Sequence, residues 1–346
     1  MAALRSSLAG AAAGQSLVLQ VGDCAEDPAE CAEDHVLRKT GLLGGLADAL
    51  SEATGKPVIR VGRIAGQFAK PRSKPAEQVG DLTLPVFRGH MVNDPEPAPE
   101  RRRPDPERIL ACHDAARNIV RVLDRHQQGA SAGAERVWTS HEALLLDYEE
   151  PMVRELGDGT RWLGSTHWPW IGERTRQPTG AHVRLLSEVA NPVACKIGPG
   201  IGPDEIVTLC ERLDPLRMPG RLTLIARMGA GFVASRLPPL TRAVAAAGHP
   251  VIWLCDPMHG NTIVAPDGDK TRLMVTMLHE IQGFARALAG AAGVAGGLHL
   301  ETTPDEVTEC VWDASGISAV GDRRTTFCDP RLNTTQALTL VSAWAR

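Results

Sequence analysis

Eight short runs rich in apolar and β-branched residues recur along this chain, each separated from the next by enough residues for a helix or a long loop. They are Ser16–Gln20, Pro57–Gly62, Arg136–Ser140, Arg161–Ser165, Pro192–Ile197, Arg221–Arg227, Pro250–Leu254 and Gly297–Glu301. Most are continuous rather than alternating, the pattern of parallel strands covered on both faces. Amphipathic stretches at His35–Ala53, Pro106–Arg125, Pro203–Leu213, Leu237–Ala247 and Thr271–Ala289 lie between them. Pro203 and the Pro238-Pro239 pair stand near helix starts, and Gly248 at a stop. Eight strands alternating with helices predict an α/β fold, a (β/α)8 barrel of the TIM type, as one domain over residues 1–346.

Composition narrows the partners. With 43% hydrophobic residues over 346 positions, the chain can bury a large core. A net charge of −4 offers no global field for nucleic acid, so any basic site must be local. One Tyr and five Phe argue against a stacking platform for single strands. Eight Cys without paired CxxC spacing make neither a disulfide framework nor a zinc ribbon, and a reducing cytoplasm fits them best. No signal peptide and no apolar run long enough for a bilayer is expected. The segment 92–106 reads as a Pro-rich charged surface loop, with Arg101, Arg102 and Arg103 as a solvated flank.

A barrel of this kind carries its chemistry at the C-terminal strand ends. Nearly every candidate strand here ends in polar or charged residues. The first leads to Cys24, the second to the stretch Gly62 to Ser73, the third to Ser140-His141-Glu142 and the fourth to Trp170 through Arg176. Lys196, Arg227, His259 and Glu301 complete the ring. An unpaired charge in a buried strand is costly, so the repeated placement at one end is the strongest signal in the sequence. Arg63, Arg174, Lys196 and Arg227 imply a small, multiply charged anion, because guanidinium forks match phosphate and carboxylate oxygens. The plainer alternative is that each Arg pairs with a neighbouring acid, Arg174 with Glu173 for instance. That is credible for one residue and much less so for four together.

Cys24, His259, Glu301 and Asp329 mix a thiolate, an imidazole and two carboxylates, a set that suits a first-row divalent ion rather than Mg²⁺ or Ca²⁺. With an open position such an ion acts as a Lewis acid on a carbonyl oxygen. The structural alternative makes Cys24 a packing residue and His259 a loop cap. Cys31, Cys112, Cys195, Cys210, Cys255 and Cys310 read as packing, and His35, His113, His126, His182, His249 and His279 as non-catalytic. Gly198-Pro199-Gly200-Ile201-Gly202 lacks dinucleotide-loop spacing and reads as a βα loop near the anion site.

These residues lie in longer motifs. Gly22-Asp23-Cys24-Ala25-Glu26, the stretch 62–73, the stretch 84–93, Thr139-Ser140-His141-Glu142-Ala143, the stretches 170–177 and 256–262, and Cys328 to Asn333 together resemble the type II 3-deoxy-D-arabino-heptulosonate 7-phosphate (DAHP) synthases. The resemblance runs in order from about residue 1 to the C-terminus. It implies a metal-dependent transferase (EC 2.5.1.54) that condenses phosphoenolpyruvate with erythrose 4-phosphate at the start of the shikimate pathway. It also implies metal ligation by Cys24, His259, Glu301 and Asp329, with Mn²⁺ or Co²⁺ as the ion. Phosphoenolpyruvate would be held by Arg63, Glu142, Trp170, Glu173, Arg174, Lys196 and Arg227. Erythrose 4-phosphate would meet Lys70, Arg72, Ser73 and Lys270. Lys196 is the candidate proton donor or water-positioning group, with Cys24 and His259 acting through the metal.

Three departures from the family pattern stand out. His90 follows Arg88-Gly89 where Asp is usual, and Ala230-Gly231-Phe232 follows Arg227-Met228-Gly229 where Asn and Lys are usual. The chain also starts almost at the first strand and makes only a short connection between Arg125 and Trp138, where larger members carry a long N-terminal extension and an inserted helical pair. Those additions build aromatic amino acid inhibitor sites and oligomer contacts, so the expectation is an enzyme without such feedback, suited to secondary metabolism, as a homo-oligomer and more simply a dimer. Cys328, next to Asp329, is expected as a reduced packing thiol near Cys24. Competing readings are an aminoDAHP synthase using an imino sugar phosphate, a non-catalytic regulatory barrel, and a pyruvate-type metal-dependent aldolase.

Overall fold

The structure is a computed structural model describing residues 2–127, 135–291 and 293–344. Eight parallel strands close into a barrel: β1 (Leu17–Gly22), β2 (Val58–Arg63), β3 (Val137–Glu142), β4 (Trp168–Ile171), β5 (Val193–Ile197), β6 (Leu222–Ala226), β7 (Ile252–Cys255) and β8 (Val294–Glu301). Each strand pairs with its neighbours in sequence, and β8 pairs with β1 in the register Gly22 opposite Glu301. That closure brings the two ends of the chain's polar pattern, the Cys24 loop and Glu301, side by side.

The longer helices are α1 (Ala2–Ala12), α2 (Glu33–Thr54), α3 (Glu107–His126), α4 (Ala181–Ser187), α5 (Pro203–Leu213), α6 (Val233–Ala246), α7 (Met274–Ala289) and α8 (Thr334–Ala343), and all but α1 form the outer layer. The larger core lies between helices and strands, where Leu209, Leu237, Phe284 and Leu340 pack on outward-facing strand residues such as Leu224 and Leu298. A second core fills the barrel itself with Ile59, Trp138, Trp168, Ile225 and Leu254.

The helix α1 had no counterpart in the strand–helix pattern. It belongs to the interior cluster, with Leu4, Leu8 and Ala11 fully buried among the barrel residues. The Ala-rich stretch therefore plugs the N-terminal mouth. Gly220 explains how closely it approaches: its φ is +79°, and a side chain there would stand 2.5 Å from the Arg5 carbonyl and 2.6 Å from the Ala9 amide.

Two local expectations are corrected. The fourth barrel strand is not Arg161–Ser165; residues Arg161–Leu163 pair antiparallel with Val153–Glu155 in a small hairpin, and Trp168–Ile171 enters the barrel instead. Both runs are apolar, but only the later one carries enough bulk to fill the interior. The α6 helix begins at Val233, so Pro238 and Pro239 lie inside it rather than at its start. Its first turn is set by the Gly229 turn, where φ is +84° and Val233 donates to the Gly229 carbonyl. The expected short connection between Arg125 and Trp138 falls in part outside the described residues, at 128–134. Among the described residues no helix is long and apolar enough to cross a membrane.

If α1 is a packed plug, Leu8→Ala should cost about 2–5 kcal/mol, the usual range for a buried leucine. Urea unfolding followed by far-UV circular dichroism measures it, and a loss below about 0.5 kcal/mol, ordinary for a surface change, would place the helix outside the core.

Candidate active site

The site is built around Glu301, the fully buried last residue of β8. Its Oε1 accepts from Arg63 at 2.9 Å, and lies 3.1 Å from His259 Nε2 and 3.4 Å from Lys70 Nζ. Its Oε2 accepts from Arg272 at 2.8 Å. Cys24 follows β1, and its Sγ accepts from the Asp329 amide at 3.1 Å. One ligand atom each from Cys24, Glu301 and Asp329 lie within 4.8 Å of one another, and His259 reaches this group through Glu301. The four residues singled out as metal ligands thus occupy one neighbourhood.

Their chemistry fits a metal. Asp256 lies 2.8 Å from His259 Nδ1 and orients the ring so that Nε2 faces Glu301. Against the cost of burial, His259 and Lys196 hold the Asp256 carboxyl well below its ordinary range. Burial, the neighbouring Cys328 and Glu301 push the Cys24 thiol up, so ligation by sulfur requires a cation able to displace its proton. Asp256, His259 and His299 also lie close enough to share an ion. Cations of the protein already occupy that second cluster: Arg63 lies 2.7 Å from His299 Nε2, and Lys196 pairs with Asp256 at 3.0 Å.

Beside the cluster opens a cavity of about 190 Å³. Six cationic side chains line it, Lys70, Arg72, Arg174, Lys196, Arg227 and Lys270, against three acidic ones, Glu142, Glu173 and Asp329. The local sign is opposite to that of the whole chain. Arg174 does not pair with Glu173; Arg176 does, at 3.0 Å, and Arg174 donates to Ser73 Oγ at 2.6 Å. Arg227 donates to the His259 carbonyl at 2.8 Å. Among the described residues neither Arg174 nor Arg227 has an acidic partner, so both guanidiniums are available to an anion. Burial brings the Lys196 ammonium down to about 8, opposed by Asp256.

The other expected residues divide between the wall and its support. Arg72 pairs with Glu77 at 3.1 Å and Lys270 with Asp329 at 2.8 Å, both at the cavity edge. The Glu142 Oε1 is buried without a partner, and the absent side chain of Gly172 leaves the space it occupies. Arg63 and Trp170 lie below the cavity wall. Arg63 uses all three nitrogens on Asp23, His299 and Glu301, and its guanidinium carbon lies 5.3 Å from the Trp170 ring centre. Lys196 lies 5.9 Å from the same ring. The Gly198–Gly202 loop borders the anion side, since a side chain at Gly198 would stand 3.1 Å from Glu173 and 3.4 Å from Arg227.

Sequence reasoning missed Asp256, Arg272, His299 and Glu280. Asp256 sits inside the motif that supplies His259, and His299 is a polar residue in an apolar strand, so both carried a signal. Arg272 and Glu280 carried none, because they act across sequence gaps of about thirty and fifty residues.

The family model described as the class-II DAHP synthetase family matches residues 1–137 and 118–345. A probable phospho-2-dehydro-3-deoxyheptonate aldolase of Pseudomonas fluorescens is 58% identical over 346 residues, covering 99% of this chain and 86% of the relative. A phospho-2-dehydro-3-deoxyheptonate aldolase of Streptomyces coelicolor is 38% identical, covering 98% and 86%. Its alignment runs over 387 positions, more than the 346 residues of this chain, so that relative carries inserted segments inside the matched region. The solved structure of phospho-2-dehydro-3-deoxyheptonate aldolase from Francisella tularensis superposes with a TM-score of 0.57 at 14% identity, covering 99% of this chain and 89% of that one, which is a likeness of fold.

Two loops of the site rest on one buried carboxylate. Glu280 of α7 accepts from the Gly229 amide at 2.8 Å and from Asn261 Nδ2 at 2.5 Å, joining the loop after Arg227 to the loop that carries His259. Burial pushes its carboxyl up to about 8, while its donors pull it down. The folded state therefore holds a proton that the unfolded chain, titrating near the ordinary value of 4.5, has already released. The sign follows: this group's contribution is most favourable below about pH 4.5 and is lost as pH rises towards about 8. Between pH 6 and 8.5 the urea midpoint of Glu280→Gln should fall less than that of the parent; parallel falls would remove Glu280 as the titrating group.

Proposed function

The chain belongs to the class-II DAHP synthetase family, and on that premise we propose that it is a 3-deoxy-7-phosphoheptulonate synthase, with residues 1–346 as one catalytic domain. It joins phosphoenolpyruvate and erythrose 4-phosphate with release of phosphate. The observation that carries this reading is the juxtaposition of two guanidiniums without acidic partners, Arg174 and Arg227, with the Cys24, His259, Glu301 and Asp329 cluster.

In this reading phosphoenolpyruvate lies against Arg174, Lys196 and Arg227, with Glu142 and Glu173 at its edge. Erythrose 4-phosphate lies on the side of Lys70, Arg72, Ser73 and Lys270. Bringing two anions together at ~5 Å costs a few kcal/mol at an intermediate dielectric, and the cationic excess of the pocket offsets it. Cys24, His259, Glu301 and Asp329 hold a divalent ion, Mn²⁺ or Co²⁺, which when bound supplies Lewis-acid polarisation of the aldehyde oxygen. C3 of phosphoenolpyruvate forms a bond to the aldehyde carbon, and the aldehyde oxygen takes up a proton. Water then bonds to C2, the C2–O bond to phosphate breaks, and the water gives up both protons, one returning to the donor and one going to the released phosphate, which leaves a carbonyl at C2. Lys196, with an ammonium close to neutrality of proton transfer, delivers the proton; Asp256 holds its Nζ in place. Trp170 and Arg63 support Lys196 and Glu301 from beneath. A regulatory barrel without catalysis has no use for unpaired guanidiniums at a metal-ligand cluster.

Three measurements test this reading. Consumption of phosphoenolpyruvate should depend on erythrose 4-phosphate, and metal-stripped protein should lose activity that Mn²⁺ or Co²⁺ restores; full activity after chelation would end the metal reading. Lys196→Met should lower kcat by about 10²–10⁴-fold, the ordinary range for a positioned acid–base group, and near-normal turnover would remove Lys196 from that role. Phenylalanine, tyrosine and tryptophan should leave the rate unchanged, in keeping with the short connection after Arg125. Strong inhibition by any of them would show that feedback is retained.

A further inference from the structure

Arg272 is the most deeply placed cation of the site and has no part in the reaction scheme above. Its side chain is fully buried, between the hairpin strand Lys270–Thr271 and α7. One guanidinium nitrogen, NH1, donates to Glu301 Oε2 at 2.8 Å and to the Pro330 carbonyl at 2.6 Å. Nε donates to Thr262 Oγ1 at 3.0 Å. NH2 is buried without a hydrogen-bond partner.

Each partner belongs to a different ligand-bearing segment. Glu301 is itself a ligand candidate, Pro330 follows Asp329 directly, and Thr262 stands three residues beyond His259. These segments come from β8, from the chain after it and from the loop after β7, and no regular secondary structure joins all three. We infer that Arg272 is a positioning residue for the metal: one planar guanidinium sets the mutual spacing of His259, Glu301 and Asp329. This rests on the metal-dependent reading of the site given above.

The physical case is one of geometry against charge. A cation 2.8 Å from a ligand carboxylate competes with a divalent ion for the same electron pairs, so charge alone makes Arg272 unfavourable for metal binding. Arg272 addresses Oε2, while Arg63, Lys70 and His259 all lie on the Oε1 side. It therefore anchors the carboxylate by the oxygen turned away from His259. Its fork geometry also does what an ammonium cannot, since Lys at this position could keep the Glu301 pair but not reach Thr262 and Pro330 together.

The test is the affinity of the full chain for Mn²⁺, measured by competition with a chelator, for the parent, Arg272→Lys and Thr262→Val. Parent protein that binds no divalent ion overturns the metal reading itself, whatever the variants do. If the parent binds, Arg272→Lys should raise the Mn²⁺ Kd by about 10–100-fold, the usual effect of removing an outer partner of a ligand. The Co²⁺-loaded protein should show an altered sulfur-to-metal absorption band although Cys24 is untouched, which a general loss of stability does not produce. Affinity equal to or above the parent's overturns the proposal, because Arg272 is then only an opposing charge. Should Arg272→Lys fail to fold, Thr262→Val removes the Nε bond together with a long 3.5 Å contact from Thr262 to the Met258 carbonyl: a weaker Mn²⁺ affinity supports the proposal, and an unchanged one overturns it.

Discussion

A carboxylate with no exposed surface survives as an ion only when other groups replace the hydration it has lost. Glu301 is held well below its ordinary range because His259, Lys70, Arg272 and Arg63 together outweigh the cost of burial. Removing a buried ion from one of these pairs leaves an uncompensated charge, a loss of about 3–5 kcal/mol in comparable cases. The partners come from β2, from the loop after it, from the loop after β7 and from the hairpin before α7. One carboxylate thus ties the C-terminal mouth of the barrel together, and every other feature of the site is placed relative to it.

The same accounting separates two kinds of arginine that the sequence presents alike. Arg63 and Arg272 are saturated by protein acceptors or nearly so, and they build the floor. Among the described residues Arg174 and Arg227 donate to a hydroxyl and a carbonyl and have no acidic partner, so the protein leaves their charge uncancelled. The floor cations Arg63 and Arg272 cancel much of the charge of Glu301, so of the cationic residues lining the cavity Lys70 is drawn to it while Arg174 and Arg227 are not. This is how a chain with a net charge of −4 presents a positive pocket.

Much of this is legible in the sequence. Seven of the eight barrel strands were read within a few residues, because continuous apolar runs bounded by turns have few other uses in a chain of this length. The fourth was misplaced because Arg161–Ser165 and Trp168–Ile171 are adjacent apolar runs, and period alone does not tell a surface hairpin from a barrel strand. The α1 plug was overlooked since an Ala-rich stretch has little amphipathic contrast, and its burial comes from the barrel mouth rather than its own pattern. Strand-end positions exposed Cys24, Lys196, Arg227, His259 and Glu301, which act where they stand in the chain. Arg272 and Glu280 act at a distance in sequence, and only three-dimensional closure shows what they hold.

In the proposed reading, metal choice would follow from the neutralised Glu301. A hard ion such as Mg²⁺ is held mainly by net negative charge and oxygen ligands. Here Arg63 and Arg272 each offset part of the Glu301 charge, and Lys70 and Lys270 lie 3.5 and 2.8 Å from the Asp329 carboxylate. The electrostatic attraction left for a hard cation is small. What remains is the covalent part of the donor set, the Cys24 sulfur once its proton is displaced and the His259 imidazole, whose affinity rises along the first transition row and is weak for Mg²⁺. Under that reading, a site built this way would discriminate against the abundant hard ion by surrounding its carboxylates with fixed positive charge. The same charge would offset that of two anionic substrates, so that selectivity for the metal and affinity for the substrates would come from one set of side chains.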